Sequence, residues 1–484
     1  ARAAVGVQRQ LKSLTGMRLP TPNLPNMEAK DMTRSKVAPW PSNLATCPRI
    51  LIAVLIVLVD GSLRNEAPAA QSAVLEWSRV LATTMTDLSN GVAVDSSGSV
   101  FLGGTTYGAL AGPNAGPGDA FLGKYNASGD LLWLRQFGST GFDDGHGVAI
   151  DRSGGAYIVG GTSGSLEGPN AGGFDAFVRR YDAGGNVLWR RQFGTSVGDS
   201  ARAVATDLLG NAYVAGQTDG VLNGANLGSR DGFVRKYDEQ GTLIWSQHVG
   251  TPLFDVALGV TVDLHGNVFA VGSSTAGDGP LPTGDQSAFV SKLDSDGNVQ
   301  WLRSFGTIAR DTAQSVAADA FGNVYVAGTL GEESAGAGSL RSDAFLAKYD
   351  GDGNQLWITR WGGALREDGL AVATDATGNA YIGGRILTPP EGTIVRSEAF
   401  VVKFDPSGDV VWEFIHNTLP SMKIWSLAVD ETGAIYAAGG QAQTVGLNHD
   451  VMLLKLRQVP EPHAGVLVVL AAAVAAIFRS KRNP

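Results

Sequence analysis

Tryptophan recurs along this chain at an almost constant interval. Five intervals of 56 residues are followed by one of 55, and the positions are Trp77, Trp133, Trp189, Trp245, Trp301, Trp357 and Trp412. An aspartate that opens a glycine-containing turn keeps the same step, at Asp95, Asp151, Asp207, Asp263, Asp319, Asp375 and Asp430. A fixed period longer than about 40 residues, with several strands in each unit, is typical of a β-propeller. The repeat therefore predicts an all-β, seven-bladed β-propeller, and it overrides the several independent domains that 484 residues would otherwise suggest.

Each repeat contains four segments with the character of short strands. In the third repeat they are residues 187–193, 201–206, 212–216 and 232–237. They are rich in β-branched and aromatic residues and are bounded by glycine turns. The turns that follow Asp207 and Asp238 are short enough for hairpins, in which aspartate accepts backbone hydrogen bonds and glycine takes the positive-φ position. We therefore expect four-stranded blades whose successive strands are antiparallel.

The two ends of the propeller region fall at different points of the repeat. Trp77 precedes the first complete repeat, whereas no tryptophan strand follows residues 451–457 in the last one. We expect residues 74–81 to form the outermost strand of the last blade, with residues 426–430 as its innermost strand. This arrangement closes the ring and removes an exposed sheet edge.

Charge and cysteine content narrow the chemistry of the chain. Its net charge of −9 argues against a nucleic-acid partner, because phosphates are bound by clustered cationic side chains. The single cysteine, Cys47, lies before the propeller region. Neither a disulfide nor a thiol nucleophile is therefore expected in the folded domain.

The N-terminal region has the layout of a secretory signal peptide. Basic residues precede an apolar run at residues 50–59, and small residues follow at 67–70. We assign residues 32–70, starting at Met32, to the signal peptide, and residues 1–31 to a disordered extension from a gene start placed too far upstream. The apolar run has ten residues, too few for a helix to cross a bilayer about 30 Å thick. A permanent anchor is therefore the weaker alternative.

The C-terminal region, residues 458–484, contains a proline motif, an apolar stretch and a basic tail in that order. The motif is Pro460, Glu461 and Pro462, and the apolar stretch covers residues 464–478. This order resembles the PEP-CTERM sorting signal of Gram-negative bacteria. The resemblance implies an exosortase as partner, a transient transmembrane anchor in the inner membrane, and a final location at the outer surface or outside the cell. The alternative is a plain tail anchor, which also places the propeller outside the cytoplasm.

Residues 71–457, between these two regions, are assigned to the propeller. Segments 323–329, Asn-Val-Tyr-Val-Ala-Gly-Thr, and 343–349, Asp-Ala-Phe-Leu-Ala-Lys-Tyr, resemble the bacterial SBBP β-propeller repeat family. The resemblance extends over about residues 74–457. It implies a propeller fold and an envelope or secreted setting, and it implies no particular reaction.

An acidic residue recurs just before the predicted innermost strand of six repeats. These residues are Asp87, Asp143, Asp199, Asp255, Asp311 and Glu367, and Met422 takes the seventh position. Six carboxylates around one axis would form a negative ring at the channel mouth, where the field attracts a cation or a basic ligand. We therefore treat them as candidate ligand-binding residues. The alternative, which a repeated framework position favours, is that each carboxylate caps its own turn.

Two other repeated features have structural explanations. A basic residue recurs at Lys124, Arg180, Lys236, Lys292, Lys348, Lys403 and Lys455, five positions after an acidic residue in most repeats. We expect these residues to make pairs with neighbouring blades. We also expect the repeat tryptophans to pack between blades rather than to form a platform for sugars.

Motifs for catalysis and metal binding are missing from the sequence. The six histidines share no repeat position, and no nucleophile turn or phosphate-binding loop is present. Segments 294–298 and 350–354 resemble calcium loops, but they lack the alternating ligands and the later bidentate glutamate. Hairpin turns explain both segments, so no cofactor is predicted, and calcium is left open.

The expected function is that of an exported, non-catalytic binding or scaffold protein at the cell surface or in the extracellular matrix. Loops at residues 110–114, 166–170 and 222–226 diverge in later repeats, and such loops are where a propeller usually binds a partner. The partner would be an extracellular polysaccharide or a surface protein. The alternative is a glycosidase or lyase whose carboxylates meet at the channel mouth.

Overall fold

The structure is a computed structural model. It describes residues 71–222, 224–252, 254–275, 286–307, 309–331, 341–388, 396–442 and 448–460. Every described residue belongs to a single compact unit within residues 68–484. The predicted signal peptide, the residues before it and the C-terminal apolar stretch lie outside the described residues. The described part of the chain contains no helix long and apolar enough to cross a membrane.

The described residues form 28 β-strands, which we arrange in four-stranded groups numbered in chain order. Group 1 contains β2 (Asp87–Val94), β3 (Val100–Thr106), β4 (Asp119–Tyr125) and β5 (Leu131–Phe137). Group 2 contains β6 (Asp143–Ile150), β7 (Ala156–Thr162), β8 (Asp175–Tyr181) and β9 (Val187–Phe193). Group 3 contains β10 (Asp199–Thr206), β11 (Ala212–Thr218), β12 (Asp231–Tyr237) and β13 (Leu243–Val249). Group 4 contains β14 (Asp255–Val262), β15 (Val268–Ser274), β16 (Ser287–Leu293) and β17 (Val299–Phe305).

The remaining strands continue the same pattern. Group 5 contains β18 (Thr312–Ala318), β19 (Val324–Gly331), β20 (Ser342–Tyr349) and β21 (Gln355–Trp361). Group 6 contains β22 (Arg366–Thr374), β23 (Ala380–Leu387), β24 (Ser397–Phe404) and β25 (Val410–His416). Group 7 contains β26 (Ser421–Val429), β27 (Ile435–Ala442), β28 (Asp450–Pro460) and the first strand, β1 (Gln71–Leu81).

Groups 1 to 5 are separate sheets, whereas groups 6 and 7 are joined in one eight-stranded sheet. Their junction is a single parallel bridge between Ser397 and Ser421. Neighbouring strands within each group are antiparallel, and the first strand of each group contacts the first strands of its neighbours. The predicted all-β fold with four-stranded antiparallel blades is confirmed.

Close spacing of the first two strands explains a glycine that recurs in every group. A Cβ atom on Gly272 would lie 1.8 Å from the carbonyl oxygen of Val256 on the first strand. The equivalent distance is between 1.8 and 2.0 Å at Gly104, Gly160, Gly216, Gly328, Gly384 and Gly439. No side chain fits in this space, so backbone packing requires glycine at this position.

The tryptophans and the basic residues join each group to the next. The indole nitrogen of Trp245 donates a hydrogen bond of 3.0 Å to the carbonyl oxygen of Ser295, in a turn of group 4. The ammonium group of Lys292 donates in the same way to Gly351 of group 5, at 2.8 Å, and lies 5.8 Å from the ring centre of Phe269. These contacts agree with the structural explanation that the sequence favoured.

The first strand of the described chain pairs with the last. β1 and β28 run antiparallel, from Gln71 opposite Pro460 to Leu81 opposite Val451. The strand that was predicted at residues 74–81 therefore lies within β1. β28 continues three residues beyond the predicted limit of the propeller at residue 457.

Group 7 contacts group 1 in the way that other neighbouring groups contact each other. The indole nitrogen of Trp77 donates to the carbonyl oxygen of Ala127 at 3.4 Å. The hydroxyl of Ser426 accepts a hydrogen bond of 3.0 Å from the backbone N–H of Val92. The equivalent bond between groups 5 and 6, from the N–H of Val372 to the hydroxyl of Ser315, is 3.2 Å long.

Candidate functional site

The six predicted ligand-binding carboxylates lie at the beginning of the first strands. They are Asp87, Asp143, Asp199, Asp255, Asp311 and Glu367, and none is more than 4% exposed. Met422, at the seventh position, is fully buried. The structure therefore places the carboxylates at one end of the strand groups and beneath the surface.

Five of these carboxylates accept hydrogen bonds from the turn that precedes them. The donor is the backbone N–H four positions upstream, at distances of 2.6 to 2.8 Å for the first four aspartates. The donors are Thr83, Ser139, Thr195, Thr251 and, for Asp311, Thr307. This is the geometry of a turn cap. Ligand binding by these carboxylates stays a prediction.

Burial changes the acidity of four of the caps. It raises the pKa of each carboxyl above its ordinary value, although hydrogen bonds from neighbouring serine and threonine residues partly offset the effect. The four are Asp143, Asp199, Asp255 and Asp311.

A second set of buried carboxylates begins the third strands and adjoins the first set. Asp119 accepts a hydrogen bond of 3.0 Å from the amide nitrogen of Gln136. The negative charge of Asp119 also contributes to the raised pKa of Asp143. Among the described residues, no group of three or more His, Cys, Asp or Glu side chains could hold a metal ion. Asp294 and Asp350, in the segments that resembled calcium loops, accept backbone hydrogen bonds within their own turns.

The first strands differ from one another at one repeated position near the carboxylates. Each first strand has a β-bulge at this position. The bulged residues are Asn90, His146, Arg202, Leu258, Gln314, Leu370 and Trp425. Sequence reasoning missed this position, although the change of residue at a fixed step of the repeat was visible. Framework positions recur because the backbone requires them, so a position that changes in every repeat is available for binding.

Asp144, His146 and Arg202 meet between groups 2 and 3. The Oδ2 atom of Asp144 lies 3.1 Å from Nε2 of His146, and a terminal nitrogen of Arg202 lies 3.0 Å from the same imidazole atom. The backbone N–H of Gly161 donates to Oδ1 of Asp144 at 2.7 Å. Burial alone would raise the pKa of Asp144, but His146, Arg202 and this N–H outweigh it and hold the pKa below its ordinary value. Asp144 therefore stays ionised at neutral pH and fixes the imidazole.

Arg202 has hydrogen-bonding capacity that the described residues leave unused. Burial lowers the pKa of its guanidinium group, and the charge of Asp144 offsets this only in part. Its Nε atom is buried and has no hydrogen-bond partner among the described residues. Such a group is unfavourable in a folded protein unless another molecule satisfies it. Arg202 is therefore a candidate ligand-binding residue.

An aromatic row lies beside these polar side chains. The ring centres of Tyr107 and Phe142 are 5.7 Å apart, and those of Phe142 and Phe174 are 6.2 Å apart. All three side chains are half-buried. The row meets the polar residues at Gly161, where a Cβ atom would lie 2.8 Å from Oδ1 of Asp144 and 3.3 Å from the ring of Phe174. We call Tyr107, Phe142, Asp144, His146, Phe174 and Arg202 the mouth cluster.

A further arginine lies beyond the mouth cluster. The guanidinium group of Arg230 is 4.6 Å from the ring centre of Phe254 and donates to Asp219 at 2.9 Å. Its charge contributes to the lowered pKa of Arg202. Aromatic faces and cationic groups therefore continue from group 1 to group 4 at this end of the strands.

Two of the loops that the sequence singled out are held by the outer strands. The side-chain oxygen of Gln136 accepts hydrogen bonds of 2.9 Å from the N–H groups of Leu110 and Ala111. Gln192 does the same for Leu166 and Glu167 in the next repeat. The corresponding loops of groups 4 to 7 lie largely outside the described residues. So do Glu461 and Pro462 of the predicted sorting motif, while Pro460 ends β28.

Comparisons with known proteins identify the repeat. Residues 132–167 and 188–223 match the family model described as SBBP, the β-propeller repeat. The regulatory protein FlaEY of Caulobacter vibrioides is 28% identical over 148 residues, which are 29% of this chain and 15% of that protein. An uncharacterized WD repeat-containing protein of Acanthamoeba polyphaga mimivirus is 22% identical over 431 residues, covering 66% of this chain and 31% of that protein. The chain thus spans less than a third of either relative.

Solved structures that are similar to this chain include a WD40 β-propeller domain and a polysaccharide lyase. The WD40 β-propeller domain of Doa1 covers 80% of this chain and 97% of its own, with 12% identity and a TM-score of 0.46. A polysaccharide lyase, an ulvan lyase, covers 77% and 94%, with 12% identity and a TM-score of 0.45. The four-stranded groups and the 56-residue period, together with the match of residues 132–167 and 188–223, support the interpretation of the chain as a β-propeller repeat protein.

Proposed function

We propose that this protein is an exported, non-catalytic β-propeller that binds an extracellular polysaccharide through the mouth cluster. The observation that carries the proposal is the aromatic row of Tyr107, Phe142 and Phe174 beside the polar group of Asp144, His146 and Arg202. None of these six side chains occupies a position that keeps one residue in every repeat. The shared framework of the repeat therefore does not require this combination of residues.

The chemistry of the mouth cluster suits a sugar chain. Aromatic rings present flat apolar surfaces to the C–H faces of sugar rings, and their few rotatable bonds limit the entropy lost on binding. Arg202, His146 and Asp144 supply donors and an acceptor for hydroxyl groups beside this surface. A row of rings that continues over neighbouring groups fits an extended chain better than a compact molecule.

The proposal includes a closed ring of seven blades. Groups 6 and 7 each contain four strands, although one bridge joins them in a single sheet, so each would form one blade. β1 would complete the last blade and close the ring, as the sequence predicts. Support comes from the hydrogen bonds of Trp77 to Ala127 and of Val92 to Ser426, which repeat those between other groups.

Export is proposed on the sequence alone. The signal peptide at residues 32–70 and the resemblance of residues 458–484 to a PEP-CTERM signal support secretion, processing by an exosortase-type enzyme and a surface or extracellular location. Mass spectrometry of the protein from the medium and the envelope tests this. A mature N-terminus near residue 70 on exported protein supports it, and full-length protein in the cytoplasm alone contradicts it.

The binding proposal is tested with a panel of acidic and neutral polysaccharides, for example alginate, pectate, xylan and dextran. A ligand at a hundredfold excess over its Kd should add about 2.7 kcal/mol to the free energy of unfolding. Phe142→Ala and Phe174→Ala should each lower the affinity for the polysaccharide that binds. Leu132→Ala, on the exposed outer face of β5, is the matched control and should bind like the parent. Equal binding by all three variants would exclude the mouth cluster.

A carbohydrate-active enzyme is the second candidate, favoured by the contact between Asp144 and His146. An ionised carboxylate at 3.1 Å can orient an imidazole as a general base beside a bound sugar. His146→Gln separates the two candidates. An enzyme would lose turnover of the bound polysaccharide and keep its affinity, whereas a binding protein releases no product before or after the change.

A further inference from the structure

The turns between first and second strands lie at the end of the groups opposite the mouth cluster. Their side chains at the second and third positions are not needed to form the turn, because the opening aspartate caps the backbone. Asp207, for example, accepts hydrogen bonds of 2.9 Å from the N–H groups of Leu209 and Asn211. These two positions are therefore free to vary from one group to the next.

The residues at these positions divide the groups into two classes. In groups 1, 2, 6 and 7 they are small or polar: Ser96, Ser97, Arg152, Ser153, Ala376, Thr377, Glu431 and Thr432. In the three consecutive groups 3 to 5 they include Leu208, Leu209, Leu264 and Phe321. Leu209 is 79% exposed, Phe321 70% and Leu264 61%, the highest values for large apolar side chains in the described part of the chain. Large apolar side chains that are this exposed, and that the fold does not require, are candidates for contact with a partner.

A second difference falls in the same three groups. The turns between third and fourth strands of groups 3 to 5 contain an additional carboxylate after their first residue, namely Glu239, Asp296 and Asp352. Groups 1, 2 and 6 have Ala127, Ser128, Ala183, Gly184, Pro406 and Ser407 at these positions. Asp296 and Asp352 are exposed, and Glu239 remains 46% exposed although it pairs with Arg180 at 2.8 Å. Exposed acidic and exposed apolar side chains thus occur in the same three groups.

The two kinds of turn adjoin each other within a group. A Cβ atom on Gly266 would lie 3.8 Å from Ser295, and one on Gly351 would lie 3.6 Å from the carbonyl oxygen of Gly322. A cleft of about 290 Å³ opens between groups 4 and 5 at this end, with Asp352 in its lining. Leu208, Leu209, Leu264, Phe321, Glu239, Asp296 and Asp352 are together called the turn surface.

We propose that the turn surface docks a cationic amphipathic segment of a partner protein. Each large apolar side chain that leaves water on docking contributes favourably to binding, and the carboxylates select basic residues beside the apolar face of the segment. A second copy of this chain fits less well, because a twofold contact would bring the same carboxylates together. The negative charges also disfavour an anionic membrane.

The test uses the full chain and a synthetic 18-residue helical peptide of leucine and lysine with one apolar face. Binding is followed by fluorescence anisotropy at low and at physiological salt. The control peptides are one of the same composition in scrambled order and one with glutamate in place of lysine. We expect binding of the cationic amphipathic peptide alone, and weaker binding at the higher salt concentration.

Two variants of the chain locate the contact. L209S/L264S/F321S introduces serine, which groups 1 and 2 have in the same kind of turn, so the variant should fold. It should weaken peptide binding at least tenfold, and D296N/D352N should weaken it and reduce its dependence on salt. L132S/L188S, which changes exposed apolar residues of groups 1 and 2, is the control and should bind like the parent.

Three results would overturn the proposal. The first is equal binding of the peptide by L209S/L264S/F321S and by the parent chain. The second is tighter binding of the glutamate peptide than of the lysine peptide. The third is self-association of the parent in sedimentation experiments that this variant abolishes, because it would identify a second copy as the occupant.

Discussion

The two ends of the strand groups differ in what each repeat keeps and what it changes. At the turn end, an aspartate such as Asp207 or Asp430 accepts backbone hydrogen bonds from its own turn in every group. At the mouth end, buried carboxylates cap the preceding turns, but the bulged residue next to them changes from each group to the next along the chain. Backbone geometry thus fixes the capping residues and leaves the bulged residues free to vary.

The comparison separates the positions whose residues stabilise the fold from the positions whose residues are available for binding. Residues that recur every 56 positions satisfy buried backbone groups or fit where strands approach closely, so their loss should destabilise the fold. Residues that change, such as Arg202 and Phe174, should alter binding with little effect on the fold. The predictions below test this separation, beginning with the largest expected effect.

The largest effect is expected for Gly272→Val. The new Cβ atom would lie 1.8 Å from the carbonyl oxygen of Val256, which no rotation of a side chain can relieve. We expect a loss of about 4 kcal/mol or more in the free energy of unfolding, measured in urea. Gly168→Ala is the control, because its Cβ would meet no atom within 4 Å. Equal stability of both variants would contradict the close approach of the first two strands.

A smaller loss is expected for Asp207→Ala at the turn end. The change removes two backbone hydrogen bonds and those that Asp207 accepts from Asn211 at 2.7 Å and Tyr213 at 3.0 Å. The expected cost is about 2 to 4 kcal/mol, measured by urea unfolding. Leu209→Ser in the same turn should change stability by less than about 0.5 kcal/mol. If Asp207 did not stabilise its turn, both variants would have the same free energy of unfolding as the parent, which would contradict this prediction.

The smallest expected effect is a dependence of stability on pH that has opposite signs for the adjacent residues Asp143 and Asp144. The pKa of Asp143 is raised, so its contribution to stability is present in acid and is lost as pH rises through its folded pKa. The pKa of Asp144 is lowered, so its contribution is present above the ordinary value of 3.8 and is lost as pH falls through its folded pKa. The difference in free energy of unfolding between the parent and Asp143→Asn should therefore decrease as pH rises. The difference between the parent and Asp144→Asn should increase. Urea unfolding at about pH 3, 5 and 7 measures both, and parallel curves would contradict the assignment.

Much of the fold could be predicted because one repeat carries it. The tryptophan step predicted the four-stranded groups, and the position of Trp77 predicted that residues 74–81 pair with the last strand of the propeller. The burial of Asp87 and its counterparts could not be predicted, because it depends on how the preceding turn folds over the carboxylate. The sequence therefore left two interpretations of those residues open, ligand binding and turn capping.

The mouth cluster was not predicted from the sequence, for a different reason. Tyr107 follows β3 of group 1, whereas Phe142 and Phe174 precede β6 and β8 of group 2, and the three occupy different positions of the repeat. No fixed spacing connects them, and only the folded structure brings their rings together. The available signal was the change from Asn90 to His146 to Arg202 at one step of the repeat, which a search for recurring residues overlooks.

The most direct test of the separation measures two quantities on the same two variants. Affinity for the polysaccharide selected in the panel and free energy of unfolding in urea are determined for Phe174→Ala and Asp207→Ala. We predict that Phe174→Ala lowers the affinity at least tenfold and changes stability by about 1 kcal/mol or less, whereas Asp207→Ala lowers stability and keeps the affinity. Parallel losses of affinity and stability in both variants would contradict the account.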